Sequence, residues 1–416
     1  YFGEKLLHVA ASKEAPRMMS LRTMALDGVH KADGTYRSIR DLTAQLWFDD
    51  GDEATAGAQG LADLTVPSNP HAPANREIIG ATPTVMEGLE RLLRSGSPNA
   101  AYHACEALSQ LAFRNARNGQ RVMTTCSPHM RTSLSDLLSF EHPQMDDDSR
   151  YELRASVLRV FNNCAWNSRQ ACIEICEDSI LMDRIESTLR DGSTKPFVEP
   201  VPVPLLMCLD AAVGLMSHLS SEPYARDALL RRRVGEEVLL PLVANSEELS
   251  DPPEQYLCTV AGAVEVVIKL IWDEKDPPFM PHAAVLQTIV WTLVCSLDGV
   301  MWAGITWSSL GRVQTLSRLA ALNVLKVQLV DLNLVEALVR LLNQWTQEQG
   351  LLVLEETLLC LLHLLTLEEG RWRMYLSGVY RPFRSIVLGD EGASPLARER
   401  AVLCSWLLFE WQGSKA

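Results

Sequence analysis

The chain has 416 residues, of which 47% are hydrophobic, 22% charged and 6% aromatic, with a net charge of -14. That composition belongs to a folded protein long enough for two or three compact domains or one extended array, and its acidic balance excludes nucleic acid as the expected main partner. The 10 cysteines are scattered through apolar stretches, the usage of buried free thiols in a reducing compartment and not of a disulfide framework.

The first residues, "EKLLHVAAS", carry charge and no long apolar core, so no signal peptide is read there. An intracellular location is expected: the cytoplasm, or an organelle interior if a targeting segment has been removed. Residues 1–52 fit no repeat and are expected to form a helical cap or atypical first repeat, since a terminal unit needs a polar outer face. Residues 53–416 carry a recurrent pattern of small or apolar residues, then Leu, a variable residue, a polar residue and an apolar residue. It reads "AGAQGLADLT" from Ala56, "ACEALSQLAF" from Ala104, "VLRVFNNCAW" from Val157, "AAVGLMSHLS" from Ala211, "GAVEVVIKLI" from Gly262 and "LLCLLHLLTL" from Leu358. A weaker copy, "LAALNVLKVQ" from Leu319, fills the one double gap, and "AVLCSWLLFE" from Ala401 closes the series.

Each copy is followed by a second stretch with apolar residues on one helical face, such as "VMEGLERLLRSG" and "LMDRIESTLRDG". Strand alternation is almost absent. Pro-, Asp- and Ser-rich segments fall between copies, among them "EHPQMDDDS", "STKPFVEPVPVP" and "WDEKDPPFMP". The longest apolar run, Ala283 to Leu297, is shorter than the roughly 20 residues of a spanning helix and reads as a buried helix, so no transmembrane segment is expected.

The segment "RASVLRVFNNCAWNSRQACIEICEDSILMDRIESTLRDG", Arg154 to Gly192, resembles a unit of the armadillo/HEAT superfamily, and Ala100 to Phe140 is similar. The resemblance implies an all-α, right-handed α-solenoid of about seven to eight units. In that family an Asn on the third helix lines the concave groove and bonds the backbone of an extended peptide. The matching row here is Asp63, Gln110, Asn163, His218, Lys269 and His363, in which only Asn163 keeps the Asn. Arg159 stands where the family places a Trp one turn earlier.

No phosphate-cradling, nucleophile-elbow or zinc motif is present, and no cofactor or metal is expected. Cys164, Cys172 and Cys176 read as buried thiols, and "MDDDS" as a solvated loop that starts a helix. Trp302 and Trp307 interrupt the repeat in a Gly- and Ser-containing stretch and are candidate interface anchors. The expectation is a non-enzymatic protein–protein interaction scaffold, a structural or accessory subunit of a hetero-oligomeric complex. Its partners would be proteins with basic or extended segments. The alternatives are a cargo or peptide adaptor of the nuclear-transport-receptor type and a membrane-surface adaptor resting on residues 284–307.

Overall fold

A computed structural model describes residues 32–125, 128–143, 145–194, 201–246, 252–303, 305, 307–389 and 392–413. Among them are 22 α-helices and no strand; the nearest approach to a sheet is an isolated bridge between Trp302 and Ile305. The chain divides into two compact units, one ending at Ala107 and one spanning Leu108–Ala416. The cap expected over residues 1–52 lies within the described residues only from position 32 onward.

In the first unit the helices are Ala32–Gln45, Gly51–Thr65, Ala72–Gly80 and Pro83–Leu93. Asp50 caps the second by accepting from the Asp52 N–H, and Pro83 opens the fourth where its missing N–H costs nothing. Leu46, Leu61, Ile79, Met86 and Leu89 are fully buried between them. Gly57 permits the close crossing of the first two helices: a Cβ there would stand 2.9 Å from the Leu42 carbonyl oxygen.

The second unit repeats a trio of helices. A short first helix is followed by a second and a longer third, as in Arg169–Glu177, Ser179–Thr194 and Val203–Ser221. The trio recurs as Asn323–Asp331, Leu334–Gln344 and Leu351–Leu364, and as Glu368–Leu376, Tyr380–Leu388 and Pro395–Gly413. The turn from first to second helix places Arg233, Asn333 and Gly378 in the left-handed region at φ 55°, 62° and 70°. Only one of these is the glycine that favours such a turn.

The third helices pack on one another in series, and their reference residues Leu111, Cys164, Leu219, Leu270, Leu319, Leu364 and Leu408 are all buried. Asp146 begins the Asp147–Ala165 helix by accepting from the Ser149 N–H, so "MDDDS" is a helix start. A second layer of ties joins the outer helices. Arg184 donates to Asp136 at 2.7 Å, Arg232 pairs with Asp183 and Glu186, and Arg340 pairs with Asp298.

Two features depart from the sequence pattern. The weak copy from Leu319 is not a third helix. The third helix of that repeat is Ser309–Ala321, and the quoted stretch straddles the turn before Asn323–Asp331. The residue before the buried Leu319 is therefore Arg318. The second departure is a missing first helix. Between Glu254–Ile271 and Ala283–Asp298 the chain runs through a Pro-rich loop in which Trp272 packs edge-on against Phe279, their ring centres 5.7 Å apart.

Val203–Ser221 is long and apolar enough to cross a membrane by length and composition alone, but 61% of that window is buried. It packs between the Asp147–Ala165 and Glu254–Ile271 helices, as a solenoid core helix does.

Candidate interaction surface

Asp63 is half-buried on Gly51–Thr65 in the first unit. In the second unit the remaining row of polar residues sits at matching places on successive third helices, and two of its members, Asn163 and Lys269, bond to the preceding repeat. Asn163 donates through Nδ2 to both the carbonyl and the hydroxyl of Ser109, each at 2.9 Å. The amide that the family resemblance assigns to a peptide is here stapled to the preceding repeat. Asn162 lies against Gly214, and its Oδ1 is buried without a hydrogen bond, as is the Oε1 of Gln110.

The densest cluster is centred on Glu265, two third helices further on. Glu265 accepts from Lys269 Nζ at 2.6 Å, from the Ser217 hydroxyl at 2.9 Å, and from Arg312 on the next repeat. Lys269 also donates to Ser221 at 3.0 Å, and Arg312 to the Ala261 carbonyl at 3.3 Å. Burial by itself would raise the Glu265 pKa, but the two cations overcome it and hold the carboxyl well below the usual range. His218 stands beside this cluster. Burial, helped by the Lys269 charge, pushes its pKa down to about 4, so its imidazole is neutral at pH 7. On the same helix Asp210 is pushed up to about 7 by burial, against the pull of Arg159.

The row changes character beyond this point. Arg318 is exposed, 3.5 Å from Glu274. His363 is half-buried, and burial together with Lys326 lowers its pKa. Lys326 donates to Asn323 at 2.8 Å and Thr366 at 2.9 Å. From Lys269 onward the row is therefore Lys, Arg and His, with Arg318 its exposed cation.

Trp302 and Trp307 are half-buried and packed internally. Trp302 meets Trp291 edge-on, ring centres 5.6 Å apart, and the Arg312 guanidinium lies 4.7 Å from the Trp307 ring centre. Burial raises the thiol pKa values of Cys164, Cys172 and Cys176, to about 11 for Cys172 and about 12 for Cys176. Among the described residues no group of three or more His, Cys, Asp or Glu side chains is placed to hold a metal ion.

Glu265, Arg312, Arg318 and Asp210 were absent from the row read in the sequence. A charged residue inside "GAVEVVIKLI" was the available signal, and the register that sets Glu265 opposite Arg312 would have found its partner.

The last repeat exposes an apolar surface that the sequence pattern did not single out. Pro395–Gly413 buries Ala397, Ala401, Cys404, Leu408 and Trp411 on one side, and leaves Val402, Leu403, Trp406 and Phe409 exposed on the other. A helix apolar on both sides usually has neighbours on both. Residues 309–416 hold 11 Lys and Arg against 11 Asp and Glu, so the whole charge of -14 resides in the first 308 residues.

The sequence matches no described protein-family profile and no curated protein. The solved structure of UNC-45 from Drosophila melanogaster superposes with a TM-score of 0.53 at 15% identity, covering 89% of this chain and 46% of that one. The chain has the armadillo/HEAT-type helical-repeat fold. It spans about half the length of that protein. A second structure of this armadillo/HEAT type is described as showing that a conserved phosphorylation switch controls the interaction between cadherin and beta-catenin. It superposes less closely, with a TM-score of 0.46 at 14% identity over 92% of this chain and 78% of that one.

Proposed function

We propose that the chain is a non-enzymatic protein-interaction scaffold, an accessory subunit that holds partner proteins along its repeat surface. The observation that carries this reading is the partition of the second unit. Its repeats from Asp147 to Ile271 turn their polar groups onto one another, whereas those from Ser309 to Gly413 present exposed Arg318 and an uncovered aromatic surface. Exposed aromatic residues in a contiguous patch mark association surfaces. The exposed Arg318 suits an acidic or extended partner segment laid across successive third helices.

Cross-linking mass spectrometry on complexes purified through the tagged chain tests this. Cross-links are expected to concentrate on repeats after Ser309, and the captured partner is expected to be lost from the W406S/F409S variant. A partner retained in full by that variant, or no protein enriched over an empty-tag control, sinks the reading.

A further inference from the structure

The first unit contains a cleft of about 610 Å³ whose walls include Phe48, Asp49, Glu87, Glu90, Arg91 and Arg94. Its floor is fixed. Arg91 donates to the Leu46 and Phe48 carbonyls, each at 2.7 Å, and lies 5.8 Å from the Trp47 ring centre. Trp47 in turn donates from Nε1 to the Thr84 carbonyl at 3.2 Å. These bonds hold two adjacent large aromatics at the surface, with Trp47 44% and Phe48 45% exposed. Isolated exposed apolar residues are ordinary; an exposed Phe48 lining a cavity next to a braced, exposed Trp47 is not.

The carboxylates are the second observation. Glu90 is only 9% exposed, yet its carboxylate makes no hydrogen bond among the described residues, and its nearest cation is Arg94 at 3.7 Å. Neither of its carboxylate oxygens is fully buried, so both remain open to a donor that enters the cleft. Asp49 and Glu87 line the same cleft, both exposed and neither in an ion pair among the described residues. Asp50, Asp52 and Glu53 follow beside it in the sequence, all exposed. Of the two cations in the wall, Arg91 is turned onto backbone carbonyls, and Arg94 is 62% exposed.

We propose that this cleft binds the side chain of an arginine or lysine presented by a partner protein. Phe48 supplies a ring face for the cation and its methylene stem, and Glu87 and Glu90 accept from its N–H groups. The cleft lies wholly within the first unit and is independent of the surface proposed above.

The test uses the full chain and three fluorescein-labelled peptides of alternating glycine and serine, carrying two arginines, two lysines or two citrullines. Citrulline keeps the shape of arginine and removes its charge. Anisotropy titration is expected to show saturable binding of the arginine and lysine peptides, and at least tenfold weaker binding of the citrulline peptide. Glu87→Gln and Phe48→Ala each weaken the arginine peptide about tenfold while the thermal unfolding midpoint stays put, because both side chains are exposed. Glu348→Gln, at an exposed residue of the second unit, leaves it unchanged. Equal affinity for arginine and citrulline, no saturable binding, or binding unaltered by both cleft variants overturns the proposal. Any of those results leaves the scaffold reading of the second unit standing.

Discussion

The repeats from Asp147 to Ile271 and those from Asn323 to Gly413 are built from the same helical trio and differ in how much aromatic surface they leave exposed. In the earlier group polar side chains cross to the neighbour: Asn163 onto Ser109, Ser217 onto Glu265 and Lys269 onto Ser221. The later group has such ties too, Arg373 to Asn333 and Lys326 to Thr366, each at 2.9 Å, but it leaves Trp372, Leu388, Trp406 and Phe409 exposed. One repeat geometry therefore serves either to seal the array or to present a surface. The choice lies in a few residues on the third helix, not in the fold.

The sharpest way to break this contrast is to unseal the earlier group. Arg312→Ala leaves Glu265 buried with Lys269 as its one remaining cation. A loss of about 3–5 kcal/mol is expected in denaturant unfolding, and the double variant E265L/R312M should recover most of it. In the later group two neighbours on one helix should behave oppositely. Leu408→Ala, at a buried site, is expected to cost about 2–5 kcal/mol, whereas W406S/F409S should stay within about 0.5 kcal/mol of wild type. A large loss from the second would show that the exposed face is structural. Asn163→Ala is a smaller change: it removes two donated hydrogen bonds and should cost about 1–2 kcal/mol in thermal unfolding.

The smallest effect is electrostatic. Asp210 binds its proton more tightly folded than unfolded, so its contribution is present below the ordinary carboxylate pKa and is lost as pH rises to about 7. His218 acts in the other direction. Its folded pKa of about 4 means that stability is lost as pH falls from the ordinary histidine value toward 4. The two nearly offset between those limits. Asp210→Asn should stabilise the protein at pH 7.5 and expose the His218 slope as a fall in melting temperature on acidification. A flat profile in that variant would contradict the assignment.

Most of the array was readable because each third helix must bury an apolar residue at one place, and Leu64, Leu111, Cys164, Leu219, Leu270, Leu364 and Leu408 do so. Ser309–Ala321 was misplaced because "LAALNV" keeps an apolar pattern straight through a helix boundary that only the Asn323 start marks. The short first helices were hidden because their turns use Arg233 and Asn333 at positive φ in place of glycine. The row of polar residues was legible, but its use was not. Whether Asn163 meets a peptide or Ser109 depends on which residue lies across the gap some 10 Å away between helix axes, and periodicity carries no information about that.

The missing first helix before Ala283 has a consequence for how the molecule comes apart. In a linear array each repeat is stabilised only by its immediate neighbours, so unfolding proceeds in blocks separated at the weakest joint. The contact between the Glu254–Ile271 and Ser309–Ala321 helices is the thinnest among the third helices packed in series from Asp147 to Gly413, and the Arg312–Glu265 pair bridges it. Native-state hydrogen exchange should therefore resolve two cooperative blocks meeting at that ion pair, a single buried charge contact acting as the rivet between two separately melting halves of the array.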